Sequence, residues 1–409
     1  MPRMLNQLPA RWVEVDLDAI IHNLKQVRSL LAPGVSLMAV VKADAYGHGA
    51  VEVARTVLSN GADRLAVTTL DEAIELREAG ITAPILVFSP LLKEENEIAI
   101  DHDLAVTVGS AENVDDLAEA AEQRRKPVAV HLKVETGMGR TGAFPAEAIE
   151  LGRRISSRPG LKLEGVYTHF AVATLKNKSY TEEQFRKLMQ VINELEKQGV
   201  QIPLRHACNS AATLDLPHMH LNLVRVGTLL YGQYPSLYVQ RKISLKDSWQ
   251  LKARIVHLKE VPAGTSIGYG RTYRTTRPAR IAVLPIGYVD GYTLDPILRP
   301  DSFIDLLKFL AKDVLHYLGF ANRHLSAEVN GRRVPVVGKV AMQLCMLEFG
   351  LNEPVRVGDV VRLMARRTTI SPRLPKLYVK DGRPYKLKYW RGEEYLLSSK
   401  TEAVDGLET

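Results

Sequence analysis

Short apolar segments alternate with longer segments of helical periodicity between about residues 14 and 240. This alternation is typical of repeated βα units around a parallel sheet. Eight of the apolar segments are predicted to be strands, at residues 37–41, 65–67, 85–88, 104–108, 128–134, 163–168, 204–208 and 223–226. Eight such units predict an α/β fold with a closed (β/α)8 barrel, a TIM barrel, and an open doubly wound sheet is the alternative.

The segments between the strands carry helix signals. Ile20, Leu24 and Val27 recur at helical spacing, and Thr69 with Glu72 has the spacing of a capping box. No glycine fingerprint of the GxGxxG type follows the first strand, so nothing in the sequence supports a dinucleotide-binding sheet.

After about residue 245 the pattern changes to valine-rich segments interrupted by Pro and Gly, which predicts a mostly β domain. Phe303, Leu310 and Val314 break this pattern with helical spacing, which indicates a helical insertion at about 295–320. We therefore expect an N-terminal segment packed with the β domain, a barrel and a C-terminal β domain, at residues 1–13, 14–242 and 243–409.

Composition indicates an ordinary globular protein, with 46% hydrophobic and 24% charged residues. No apolar stretch has the length of a membrane helix or signal peptide, so we expect a cytoplasmic protein without a membrane partner. Cys208 and Cys345 lie in apolar segments far apart in sequence, which predicts neither a disulfide framework nor a metal site.

The positive charge lies near the C-terminus. Between residues 361 and 400, eleven Lys or Arg occur with three acidic residues, an excess equal to the net charge of +8 of the whole chain. Alternating positions and an Asp381-Gly382 turn predict strands in this stretch, with outward-facing cations on a sheet edge. We therefore expect no nucleic-acid partner.

Lys42 is the first candidate for chemistry, because it ends the first barrel strand in the run AVVKADAYGHGA. Reactive groups of barrels collect at the carboxyl ends of strands. Burial of a lysine there lowers its pKa and frees the amine for a Schiff base.

This run resembles the cofactor-lysine motif of the alanine racemases, a barrel class of pyridoxal-phosphate enzymes. Other motifs resemble that family in the same order, namely KVETGMGRTG (133–142), EGVYTHFA (164–171), HACNSAAT (206–213), RVGTLLYG (225–232), GTSIGYGRTY (264–273) and PIGYVDGY (285–292). The resemblance covers roughly residues 10–365. It implies a racemase that interconverts L-alanine and D-alanine and supplies D-alanine for cell-wall peptidoglycan.

The resemblance also implies how pyridoxal 5'-phosphate is held. Lys42 carries the cofactor, and Arg225 faces its ring nitrogen, where a guanidinium can only donate. A ring nitrogen without a proton is a weak electron sink, which favours racemisation over transamination. The phosphate ligands match Tyr46, Asn209, Ser210, Gly227 and Thr228. On Ser210 alone, without its neighbours, a simple helix N-cap is the favoured alternative.

Two bases on opposite faces of the cofactor are implied as well. Lys42 is one and Tyr269 is the other, with His169 linking the tyrosine to Arg225. In the family the two bases come from different subunits, so the resemblance implies a homodimer with shared active sites.

The residues that match substrate contacts are Arg140, Met342 and Tyr288. Lys133 matches a lysine that is carbamylated in some members, and an unmodified lysine paired with Glu135 or solvent is the alternative.

Two positions depart from the family pattern. Gln343 stands where an aspartate is expected, which removes a carboxylate next to Met342. The C-terminal tyrosine that contacts the phosphate is Tyr395 in our assignment, and Tyr385 and Tyr389 remain alternatives.

Competing functions are a racemase of serine or of broad specificity, a basic amino-acid decarboxylase and a cofactor-carrying binding protein. The decarboxylase lacks support because no catalytic cysteine segment is found, and the β domain with Tyr269 argues against the binding protein.

Overall fold

The computed structural model describes residues 8–294, 303–317, 326–390 and 394–396. The chain forms two compact units. One contains Leu17–Ser248, and the other contains the residues up to Asp16 and from Trp249 onward. The first described strand, β1 (Arg11–Asp16), belongs to the second of these units.

The unit formed by Leu17–Ser248 is a nearly closed barrel of eight parallel strands with helices between them. Its strands are β2 (Ser36–Val40), β3 (Arg64–Val67), β4 (Ile85–Val87), β5 (Ala105–Val108), β6 (Val128–Lys133), β7 (Leu161–Tyr167), β8 (Leu204–His206) and β9 (Leu223–Val226). β9 pairs with β2, so the last strand lies beside the first. The predicted barrel is thus confirmed, and the open doubly wound sheet is wrong.

The helices of this unit are Leu17–Arg28, Ala50–Leu58, Leu70–Glu78, Asn96–Asp101, Ala111–Arg124, Pro145–Ser157, Ser179–Lys197 and Ser210–Asp215. Leu17–Arg28 buries Ile20, Leu24 and Val27, the positions that have helical spacing in the sequence. The predicted capping box of Thr69 and Glu72 starts the helix Leu70–Glu78. Inside the barrel, apolar side chains form a core cluster of Met38, Val40, Ala66, Leu86, Ala105 and Leu223.

The other unit is mostly β. Its strands beyond β1 are β10 (Trp249–Arg254), β11 (His257–Val261), β12 (Ser266–Ile267), β13 (Tyr273–Arg274), β14 (Ala279–Leu284), β15 (Ser326–Val329), β16 (Arg332–Val337), β17 (Cys345–Phe349), β18 (Val360–Leu363), β19 (Lys376–Lys380), β20 (Arg383–Lys388) and β21 (Glu394–Leu396). β1 lies inside the large sheet, antiparallel to β10 and parallel to β19. Trp12 of β1 packs with Leu377 and Leu387 in a buried cluster. The mostly β character expected after the barrel is confirmed.

A helix, Phe303–Tyr317, lies within the range 295–320 that has helical spacing. The rest of that range lies outside the described residues. In the described part of the chain, no helix combines the length and the apolar character that a membrane span requires.

The basic stretch forms the hairpin β19–β20, which turns at Asp381 and Gly382. The expectation that its cations face outward is wrong for Lys376 and Lys386, which are buried. The Lys386 ammonium contacts Glu394 at 2.5 Å. Because Glu394 belongs to the neighbouring strand β21, this ion pair compensates the charge of Lys386 and allows the lysine to be buried.

Candidate active site

A cavity of about 520 Å³ opens at the carboxyl ends of the barrel strands. Its polar lining comes from segments that follow different strands, namely Lys42, Tyr46, Thr68, Ser89, Lys133, Arg140, Thr141, Tyr167, His169, Thr174, Asn209, Ser210, Arg225 and Thr228. Among the described residues, neither an aspartate nor a glutamate lines this cavity. The cavity therefore suits an anionic ligand of small-molecule size.

Lys42 begins an unusual turn at the mouth of the cavity. Residues 43–46 all have φ between 51° and 55°, although none is glycine. A left-handed conformation costs about 1–2 kcal/mol for each such residue. Two carboxylates hold the turn: Glu72 accepts the backbone N–H of Ala43 at 2.5 Å, and Asp44 accepts that of Ala50 at 2.8 Å. Strain of this kind is characteristic of functional sites.

The left-handed turn brings Tyr46 against the segment after β9. A Cβ atom on Gly227 would lie only 2.7 Å from the Tyr46 hydroxyl, so glycine is needed for this close approach. The Gly227 N–H donates to the Ser210 hydroxyl at 3.2 Å. Asn209, not Ser210, caps the following helix, because its side chain accepts the N–H groups of Ala211 and Ala212. The simple N-cap alternative for Ser210 is therefore wrong.

Four cationic side chains line the cavity: Lys42, Lys133, Arg140 and Arg225. Burial and the neighbouring Arg140 lower the pKa of Lys42, although Glu72 opposes this effect. Burial, Arg140 and Arg225 lower the pKa of Lys133 to about 8. Both amines are therefore more readily deprotonated than an exposed lysine.

His169 is held neutral by the same environment. Burial lowers its pKa to about 3, and the charges of Arg225, Arg140, Lys133 and Lys42 act in the same direction. A neutral imidazole can both accept and donate a proton within a site, which suits a proton link.

Lys133 and Arg140 are joined by a loop that Glu135 organises. The Glu135 carboxylate accepts the backbone N–H groups of residues 137–140, at distances of 2.5 to 3.2 Å. Burial raises the pKa of this carboxyl, but the four donors outweigh it and the net pKa lies below the ordinary value. Lys133 donates instead to the Thr141 hydroxyl at 2.5 Å. The alternative of a hydrogen-bonded Lys133–Glu135 pair finds no support in these contacts.

Arg225 is buried near the end of β9. Its guanidinium hydrogen-bonds to residues at or just after the ends of β7 and β8. Its guanidinium donates to the carbonyls of Thr168 at 2.7 Å and Ala207 at 3.0 Å, and to His206 Nδ1 at 2.9 Å. Sequence reasoning missed His206, because a strand histidine next to apolar residues is easily interpreted as a core residue. His169 lines the same cavity as Arg225, and its link to that arginine remains a prediction.

The remaining predicted site residues lie in the β unit and face solvent in the single chain. Tyr269 is 73% exposed, Met342 is 55% exposed and Tyr288 is 43% exposed. Gln343, where the aspartate was expected, is exposed beside Met342. For the C-terminal tyrosine, Tyr395 lies in β21, which pairs with β20, while Tyr385 lies within β20 and Tyr389 directly follows it.

The sequence of this chain is similar to that of known proteins over most of its length. Residues 15–235 match the N-terminal domain of alanine racemase, and residues 248–305 and 312–375 match its C-terminal domain. The alanine racemase of Methanococcus maripaludis is 42% identical over 360 residues, which cover 88% of this chain and 90% of that protein. The chain belongs to the alanine racemase family.

Solved structures agree with this assignment. An alanine racemase from Clostridium difficile superposes with a TM-score of 0.84 at 32% identity, covering 93% of this chain and 99% of that one. The Bacillus anthracis alanine racemase with bound L-Ala-P has a TM-score of 0.81 at 33% identity, covering 94% and 99%. A histidine racemase from Leuconostoc mesenteroides shares the fold, with a TM-score of 0.78 at 24% identity, covering 92% and 100%.

The cationic cluster yields a prediction about Lys133. Removing the Arg140 charge by Arg140→Gln should raise the pKa of Lys133 above about 8, because one of the two neighbouring cations is lost. The pH dependence of acylation of Lys133, followed by peptide mass mapping without added ligand, measures this change. Arg153→Gln, which removes an exposed arginine from a helix, is the control. An unchanged Lys133 titration in Arg140→Gln would contradict the electrostatic account.

Proposed function

We propose that this protein is a pyridoxal-phosphate-dependent racemase that interconverts L-alanine and D-alanine, with D-alanine supplied for peptidoglycan. The observation that carries the proposal is the cavity lined by Lys42, Lys133, Arg140 and Arg225 without a lining carboxylate among the described residues. When bound, pyridoxal phosphate withdraws electrons from an amino acid and so acidifies its Cα–H.

The described residues fit this cofactor. Tyr46, Asn209, Ser210, Gly227 and Thr228 offer neutral and backbone donors on one side of the cavity, which suits a phosphate group. Lys42 offers an amine for the aldehyde. Arg225 offers only N–H donors, so a ring nitrogen facing it carries no proton. Arg140 is the cation for a substrate carboxylate.

Racemisation removes a proton from one face of the substrate carbon and supplies one on the other, so two bases on opposite faces are the economical solution. Lys42 supplies one, and its lowered pKa favours the free amine. Tyr269 supplies the other in this proposal, with His169 as the proton link. Since Tyr269 lies in the β unit and is largely exposed, we place it in the cavity of a second copy of the chain.

A homodimer is supported by exposed apolar and aromatic side chains of the β unit, among them Tyr269, Tyr288, Val289 and Met342. Tyr288 and Val289 donate backbone N–H groups to the carbonyls of Ala341 and Met342, so these two exposed segments adjoin. Such surface on a β unit marks an interface. An isologous two-fold interface completes two sites at once.

Lys133 is proposed to be carbamylated. Its pKa of about 8 leaves part of the amine unprotonated near neutral pH. Attack of this unprotonated amine on carbon dioxide forms an N–C bond and releases one proton, which turns the neutral amine into an anion; counted from the ammonium cation, two protons are released. The product is an additional anionic partner for Arg140.

The attachment of the cofactor tests the proposal directly. Borohydride reduction of the loaded protein should fix pyridoxal phosphate to Lys42, because this amine lies at the cavity mouth with a lowered pKa. Peptide mass mapping identifies the modified lysine. Lys133→Arg should keep the modification on Lys42, whereas Lys42→Arg should lose it. Modification of another lysine in the unchanged protein would overturn the assignment.

The shared site predicts complementation between two inactive variants. Lys42→Ala and Tyr269→Phe chains, once mixed in equal amounts and exchanged, should regain about a quarter of the activity of the unchanged protein, because half of the dimers are then heterodimers and one of the two sites in each has both bases. Lys42→Ala mixed with the double variant Lys42→Ala/Tyr269→Phe is the control and should stay inactive. Absence of recovery after verified subunit exchange would mean that both bases come from one chain.

Substrate choice depends on the wall that includes Tyr288 and Met342. If this wall is kept, alanine should be the best substrate and serine should be tolerated, because a hydroxyl adds little volume. Each methylene is worth only about 1–3 kcal/mol in such a pocket. Values of kcat/KM for L-alanine, L-serine, L-lysine, L-arginine and L-histidine measure the preference. A clear preference for a cationic substrate or for histidine would assign the protein to a broad-specificity or differently selective racemase.

A further inference from the structure

Behind the cavity, a row of buried polar side chains leads away from Arg225. His206 Nδ1 lies 2.9 Å from Arg225 Nη1, and His206 Nε2 lies 2.9 Å from His131 Nδ1. His131 Nε2 in turn lies 3.1 Å from Glu164 Oε2. We call these three residues, His206, His131 and Glu164, the imidazole chain.

The groups at the two ends of the imidazole chain, Arg225 and the Glu164 carboxylate, determine which ring nitrogen of each histidine carries its proton. Arg225 can only donate, so His206 Nδ1 must accept and the His206 proton must be on Nε2. That proton is donated to His131 Nδ1, which leaves the His131 proton on Nε2. The acceptor for this last proton is the Glu164 carboxylate. The four groups thus form one directed series of donors, with both imidazoles neutral.

The burial of His131 and His206 supports neutral imidazoles at both positions. Burial is the largest effect on both histidines and lowers the pKa of each, and the Arg225 charge acts in the same direction. For Glu164, burial alone raises the pKa, but the His131 hydrogen bond and the Arg64 guanidinium hold it at about 2. The carboxylate is therefore ionised at neutral pH, which the direction of the donors requires.

Local structure is shaped around the imidazole chain. The β6–β7 pairing shifts register between Val130 and His131, a bulge of the kind that redirects a side chain. Opposite His131, a Cβ atom on Gly165 would lie 2.5 Å from the imidazole Nδ1, so glycine leaves the space for this ring. The ring of Tyr167 stacks on His206 at 4.7 Å and 7°.

A buried arginine requires a counter-charge. Among the described residues, no carboxylate lies within ion-pair distance of Arg225, and the negative charge that its hydrogen bonds lead to is that of Glu164. Glu164 also meets Arg64 of β3 at 2.9 Å, across the barrel interior from β7.

We propose that Glu164 is a positioning residue that acts through His131 and His206 to hold the Arg225 guanidinium as the oriented donor to the cofactor's ring nitrogen. This inference rests on the proposed function. A carboxylate directly on Arg225 would compensate its positive charge at short range. Two intervening neutral imidazoles leave that charge facing the cavity while still giving the guanidinium an acceptor of fixed polarity.

The Glu164→Gln variant tests the direction of hydrogen-bond donation along the imidazole chain, because an amide can donate as well as accept. Arg64 donates, so the amide carbonyl turns toward Arg64 and its NH2 group toward His131 Nε2. The His131 proton then moves to Nδ1 and the His206 proton to Nδ1, where it opposes the Arg225 N–H. The Arg225–His206 bond is lost, although no residue that lines the cavity has changed.

The experiment is 15N NMR of histidine-labelled holoenzyme, combined with the absorbance spectrum of the bound cofactor. In the unchanged protein, His131 and His206 should both carry their proton on Nε2. Glu164→Gln should reverse both tautomers and shift the cofactor absorbance. It should also lower kcat for L-alanine by about tenfold or more, the size of effect known for the carboxylate partners of metal-binding histidines, with little change in KM.

Glu52→Gln is the matched control, because Glu52 is also a buried carboxylate paired with an arginine, Arg55, at 3.0 Å. It should leave the tautomers of His131 and His206 and the cofactor spectrum unchanged. If Glu164→Gln does not yield folded protein, Gly165→Ala replaces it. That change removes no polar group, but its methyl group would lie 2.5 Å from His131 Nδ1 and therefore displaces the His131 ring.

The outcomes separate this inference from the proposed function. A Nδ1–H tautomer or a protonated imidazole in the unchanged protein would overturn the imidazole chain. The imidazole chain would also be overturned if Glu164→Gln or Gly165→Ala kept the wild-type tautomers of His131 and His206 and the wild-type cofactor absorbance. If the unchanged protein binds no pyridoxal phosphate, the proposed function fails and with it the role toward the ring nitrogen. The tautomers of the cofactor-free protein would then still decide whether Glu164 orients Arg225.

Discussion

Arg225 is buried at the end of β9, and moving a guanidinium out of water costs on the order of several kcal/mol unless partners offset it. Around the same cavity lie Lys42, Lys133 and Arg140, whose charges repel one another and that of Arg225. Their effect appears in the lowered pKa of Lys42, Lys133 and His169. The site is therefore electrostatically incomplete without an anion. An anionic ligand that binds only the folded chain stabilises that state by mass action.

The Glu72 and Glu135 carboxylates near this site do not line the cavity but accept hydrogen bonds from the backbone segments that carry the lining residues. Glu72 accepts the backbone N–H groups of Ala43, Thr68 and Thr69, which follow β2 and β3. Glu135 accepts four N–H groups of the loop that carries Arg140. Each acid thus stabilises a strained or irregular backbone segment and leaves the cations free to face the cavity.

The sequence predicted the barrel well because buried parallel strands have a simple pattern. All eight predicted strands are present, with bounds that differ by at most two residues. The left-handed turn at residues 43–46 was not predictable from local rules, because none of its residues is glycine. His131 and Glu164 were also missed. The inward spacing of His131 and Lys133 on β6 was the available signal, since a polar residue at an inward position needs a partner.

Among the proposed site residues, Tyr269 is the one whose position the single chain explains least. It begins a short turn in which Gly268, Gly270 and Arg271 all have positive φ, and Arg271 is not glycine. The turn is nonetheless organised, because Arg271 donates to the Ser266 hydroxyl at 3.0 Å and Gly268 packs closely against Lys339. A strained turn that holds a largely exposed tyrosine gives the single chain no burial in return. Burial of that ring against a second copy would supply the missing stabilisation. It would also bring a third phenol to a cavity that, among the described residues, is lined by the tyrosines Tyr46 and Tyr167, and burial raises the pKa of Tyr167 to about 12.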